Sequence, residues 1–122
     1  MKYDRLYDDF IDMFPEDLSF FEEMKNETGA GVEDGMHVVF GMIIVPYVRK
    51  IIMESPNKAK KAFEFFEEME KSGDPMIAEV IEFSVLEKIL TDDKKMVDEY
   101  IKFFGKETKE AASLVGKWYS EK

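Results

Sequence analysis

Four residues constrain this chain more than any others. Between two long apolar-patterned runs, Ser72, Gly73, Asp74 and Pro75 leave almost no linker. Gly73 supplies the left-handed residue that commonly ends a helix, Asp74 can cap the next helix, and Pro75 suits its first turn. Residues 59–90 are therefore expected to fold as an antiparallel helical hairpin. The same punctuation recurs at Ser55-Pro56, a capping serine before a proline, and at Pro15, which is followed by Glu16 and Asp17 at the positive end of a helix dipole.

Apolar spacing near 3.6 residues extends this reading along the chain. It predicts helices over residues 3–13, 15–28, 36–54, 56–72 and 75–90, a sixth capped by Thr91 with Asp92 and Asp93 in its first turn and ended by Gly105, and a seventh over 106–119. No stretch has strand character. The expected fold is all-α: one domain over residues 1–122, with about seven helices in a right-handed stack of antiparallel pairs. The third helix is apolar on nearly every side, which places it at the centre, and Pro46 must interrupt one of its backbone bonds.

Met36 to Val48 is only 13 residues long before Arg49 and Lys50, short of the ~20 that a spanning helix needs. It reads as a core helix. The first ten residues lack the apolar run of a signal peptide, and no lipid-anchor motif occurs, so the expected location is cytoplasmic. There is no cysteine, which removes disulfides, thiolate metal sites and a cysteine nucleophile.

The net charge of −10 is unevenly spread: residues 1–35 hold 11 acids against three bases, a balance of −8. Such a field repels nucleic acid and anionic lipid and attracts basic partners. Asp4, Asp8 and Asp12 follow one another at i, i+4 steps, where like charges cost a few tenths of a kcal/mol per pair. Folding gains nothing from that series. Charge runs are usually solvated faces; the sharper reading is a surface awaiting a basic partner, with Asp4, Asp8, Asp12, Glu16, Glu22 and Glu23 as the contact residues.

Catalytic signatures are missing. His37 is the lone histidine, so di-iron Glu-x-x-His pairs cannot form, and no G-x-S-x-G elbow or calcium loop occurs. The glycines of residues 29–35 lack phosphate-loop spacing. Acids such as Glu64, Glu67, Glu68, Glu79 and Glu82 could pair, as on any acidic helix. His37 beside an apolar helix is more often a hydrogen-bonded structural residue than a ligand or base. A helical wheel puts Glu87 in the sector of Met76, Val80 and Phe83, where a structural anchor is favoured over a catalytic acid. No metal, cofactor or enzymatic activity is expected.

The order HVVFGMIIVPYVRKII, then FEFFEEMEKSGDPMIAEVIEFSVLEKIL, then YIKFFGKET resembles an uncharacterised family of small all-helical bacterial proteins. The likeness rests on the His-led apolar segment, the phenylalanine-rich helix ending in SGD, the pair Leu86-Glu87 and the late Phe104-Gly105. Proteins similar to this are associated with polymorphic toxin and contact-dependent growth inhibition systems. The resemblance implies an immunity protein that binds and neutralises a cognate toxin domain; on charge grounds that toxin is expected to be basic, such as a nuclease, and the chain is expected to be a monomer or weak homodimer. It also implies structural roles for His37, Gly73, Asp74 and Glu87. The alternative is a helical adaptor or homo-oligomer that uses Trp118 and Tyr119.

Overall fold

A computed structural model describes the backbone of residues 1–120 and the side chains of residues 1–116. Within that range the chain is all-α, with seven helices and no strand. They are α1 (Leu6–Asp12), α2 (Leu18–Thr28), α3 (Met36–Glu54), α4 (Pro56–Lys71), α5 (residues 75–92), α6 (Val97–Ile101) and α7 (Lys106–Ser120). Short 3-10 turns lead into α1, α2, α3 and α6.

The punctuation acts as the residues dictate. Gly73 adopts φ +78°, and the Asp74 carboxylate accepts the Met76 N–H at 2.9 Å. The Ser55 hydroxyl takes the Lys58 N–H, with Pro56 opening α4. Gly29 ends α2 at φ +71°. Across the Gly73 turn α4 and α5 pack against each other.

Two expectations fail at the same place. Thr91 is not a cap, because α5 continues through it to Asp92, and Asp93 instead ties elements together with its side chain. Arg49 Nε donates to Asp93 at 2.7 Å and the Tyr100 hydroxyl donates at 2.8 Å, so the carboxylate binds α3 to α6 rather than capping a helix locally. The sixth helix is consequently short. It ends at Ile101, and Gly105 stands immediately before α7, where its carbonyl accepts the Lys109 N–H at 2.9 Å.

α3 is the centre of the core and touches α1, α2, α4 and α5. It is long and apolar enough to cross a membrane, yet 61% of its apolar window is buried inside the protein. It is a core helix. Its interruption is a π turn over Phe40–Ile44, closed by the Val45 N–H on the Phe40 carbonyl, just ahead of Pro46. The missing proline N–H is absorbed there by one wide turn. α5 carries its own π turn over Glu82–Leu86, and the two wide turns pack against each other.

Aromatic rings fill the space around α3. Tyr47 lies 4.6 Å from Phe21 and 5.1 Å from Phe14, and Phe10 stacks on Phe66 at 5.7 Å. Phe63 continues the cluster to Tyr100, Phe103 and Phe104. Trp118 and Tyr119, the contact residues of the adaptor or homo-oligomer alternative, lie outside the described side chains.

Candidate protein-binding site

α1 is amphipathic: Leu6, Tyr7 and Phe10 enter the core and its aspartates are left outside. Arg5, placed just before the helix, reaches Asp8 at 3.2 Å, Asp9 at 3.4 Å and Asp12 at 3.9 Å. The aspartate series is therefore not a bare run of like charges, since one guanidinium is shared among three carboxylates. Asp4 and Asp12 are exposed, and Asp8 is half-buried.

Glu22 and Glu23 stand exposed on α2. Glu16 sits apart from the α1 group, 3.8 Å from Lys58 at the start of α4. Beside it Asp17, placed by its sequence only at the positive end of a helix dipole, accepts the Tyr47 hydroxyl at 2.5 Å and the Lys58 ammonium at 2.7 Å. Burial pushes the Asp17 carboxyl up, but the bonds from Lys58 and Tyr47 pull it further down, below the usual carboxylate range. Burial first and then Asp17 raise the Tyr47 phenol. These partners lie 30 and 41 positions away in sequence, beyond the reach of any local pattern.

Asp8 and Glu22 meet across a cleft of about 240 Å³ between α1, α2 and the turn after Gly29. Tyr7, Ile11, Leu18 and Val32 line it with apolar surface, and Lys25 shares its rim. Leu18 is 48% and Val32 46% exposed. Apolar surface left open inside a charged rim is the usual anatomy of a protein contact.

The structural polar residues divide. Asp74 caps α5 as its position implies. His37 Nδ1 lies 2.7 Å from the Ser84 hydroxyl, tying α3 to the π turn of α5. A serine and histidine in contact invite a catalytic reading, but Ser84 is buried and is not among the lining residues of any of the four cavities described. Glu87 is half-buried and lines an open cavity with Glu82, Phe83, Leu114 and Val115. The wheel that grouped it with Met76 assumed a regular helix, and the π turn intervenes.

Two further carboxylates, Glu67 and Glu70, act between helices. Glu67 of α4 accepts the Glu107 and Thr108 N–H groups and the Thr108 hydroxyl, so it caps α7 from a different helix. Glu70 meets Glu82 of α5; burial, then the hydrogen bond with Glu82 and the charges of Glu82, Glu67 and Glu107, push its carboxyl up to about 8. Its Oε1 is buried with no hydrogen-bond partner from another residue in place. A carboxyl in such a place is more stable protonated than ionised. Among the described residues no group of three or more histidines and acids could hold a metal ion.

Fold and surface together define an all-α domain with a dense aromatic core, a carboxylate-capped helix pair and an acidic, partly apolar face on its N-terminal side. The chain belongs to the family described as Domain of unknown function (DUF7674), whose model matches residues 7–120. No curated protein and no solved structure matches it.

Proposed function

We propose that this chain is a cytoplasmic immunity-type inhibitor that docks a basic toxin domain on its acidic N-terminal face and performs no chemistry itself. The observation that carries the reading is the charge imbalance: a balance of −8 within residues 1–35, displayed on exposed Asp4, Asp12, Glu16, Glu22 and Glu23 and half-buried Asp8. That balance already counts Arg5. Such a face steers a cationic partner at long range and matches the surface with which a nuclease would grip phosphate. Nucleic acid, membrane and cofactors have no part in this mode of action.

The test is capture followed by reconstitution. The tagged chain is purified from its own host with whatever remains bound, and the recovered protein is expressed alone and with its captor. A basic protein, toxic alone, neutralised by the chain and released as salt rises is the expected result. Recovery of no toxic partner would overturn the reading.

A second reading draws on different residues. Met76 and Phe83 of α5 and Leu114 of α7 are 56%, 54% and 68% exposed, and Phe83 and Leu114 line one cavity. That apolar surface suits a homo-oligomer or adaptor contact. Sedimentation of the chain and of Phe83→Glu separates the two, since a dimer lost in the variant favours the second.

A further inference from the structure

We propose that the cleft between α1, α2 and the turn after Gly29 is the anchor point of the acidic face, and that it takes an arginine side chain of the partner. This rests on the docking reading above, and adds to it a defined place and ligand chemistry.

Three features of the cleft converge on that side chain. Its floor and flanks are aliphatic and aromatic, with Ile11, Leu18 and Val32 positioned to cover a methylene stem. Its rim holds Asp8 and Glu22, and Glu22 has no ion-pair partner among the described residues. Tyr7 also lines it, only 7% exposed, and its hydroxyl has no hydrogen-bond partner among the described residues.

A hydroxyl on a buried ring is costly to leave unpaired once a partner seals the cleft. It therefore specifies a ligand with a hydrogen-bonding head. Burial and then the Asp8 charge keep the phenol protonated, so its oxygen offers lone pairs to an N–H donor. A guanidinium carries five donors in a planar fork. It can serve the Tyr7 oxygen and a carboxylate at once, while its stem lies on the apolar wall. Lys25 on the same rim works against any cation, and an anionic head would have to pass Asp8 and Glu22.

The experiment titrates the isotope-labelled protein with n-butylguanidinium, n-butylurea and n-butyl sulfate, following backbone amides by NMR. Saturable shifts with butylguanidinium, confined to the amides around Tyr7, Ile11, Phe21 and residues 30–32, are expected. Glu22→Gln and Tyr7→Phe should each weaken the binding, Glu22→Gln by about tenfold for one charge-assisted hydrogen bond, and Lys25→Ala should strengthen it. Equal affinity for butylurea would overturn the proposal by making the cleft merely apolar. Shifts spread evenly over Asp4, Asp12 and Glu16 would overturn it by showing diffuse screening. The titration needs no partner protein, so its failure leaves long-range docking intact, whereas a missing toxin with a working cleft removes only the immunity reading.

Discussion

The Glu67 carboxylate grips Thr108 twice, accepting its backbone N–H at 2.8 Å and its hydroxyl at 2.8 Å. A third bond comes from the Glu107 N–H at 3.0 Å. The first N–H groups of a helix have no partner inside it, and α7 obtains its partner from α4, about 40 positions earlier. Because Thr108 is fully buried, water cannot replace the carboxylate.

Loss of that cap should separate α7 from α4. Glu67→Ala is expected to lower unfolding stability by about 2–4 kcal/mol, the cost of stranding buried donors, measured by urea denaturation. Burial pushes the Glu67 carboxyl up, yet the backbone bonds from Glu107 and Thr108 hold it below the ordinary value. Its contribution is therefore present above the unfolded pKa and is lost as pH falls through the folded one. The same contact explains Gly105, where a Cβ would overlap the Glu67 side chain. Gly105→Ala should reproduce part of the loss, and an unchanged midpoint in both variants would refute the clasp.

Glu70 predicts the opposite dependence. An unfolded glutamate ionises near 4.3, whereas Glu70 keeps its proton to about 8 under burial and the charges of Glu82, Glu67 and Glu107. Between those values the folded state binds more protons, so its stability falls as pH rises. Glu70→Gln removes the titration. The variant should match the parent near about pH 4 and exceed it increasingly up to about pH 8, measured as denaturation midpoints. Parallel curves across that range would show that no proton is held there.

What could be read from the sequence was local. Gly73, Asp74, Pro75, Ser55 and Pro56 act within a few residues of where they stand, and each does what its chemistry implies. Thr91 has a cap's composition and sits inside α5, because the helix continues until Asp93 finds Arg49 and Tyr100. Those partners are 44 and 7 residues away, and a helical pattern carries no trace of them. The π turns are equally invisible to a wheel of fixed period, and one extra residue per turn is enough to move Glu87 relative to Met76. For the candidate site, the acids were legible as a charge imbalance. The cleft was not, since Tyr7, Leu18 and Val32 come together only when α1, α2 and the turn after Gly29 pack.

Tyr47 offers a check on the core beneath that face. Its ring is buried among Phe14, Phe20 and Phe21, and its hydroxyl donates to Asp17. Tyr47→Phe keeps the packing and removes one bond to a charged acceptor, so a loss of about 1.5–3 kcal/mol is expected. Asp17→Asn should cost more at neutral pH than in acid, because the lowered carboxyl contributes above its unfolded pKa and loses that contribution as pH falls through the folded value. A Tyr47→Phe variant as stable as the parent would mean that Lys58 alone satisfies Asp17.

Reversing Asp8 and Asp12 to lysine tests the acidic face directly. Both residues lie on the outer side of α1, and each is paired only with Arg5 among the described residues. Exposed pairs contribute about 0.2–1 kcal/mol each, so the double variant should stay folded, with an unchanged far-ultraviolet dichroism spectrum. It halves the local excess, from −8 to −4. Association with a basic partner should slow and become less sensitive to salt. The control is Asp98→Lys with Glu99→Lys on α6, two exposed acids that change the net charge equally at a different place. If both double variants weaken binding alike, the partner responds to total charge and the face on α1 and α2 has no special role. If only the first does, the contact lies where Asp8, Asp12 and Glu22 stand.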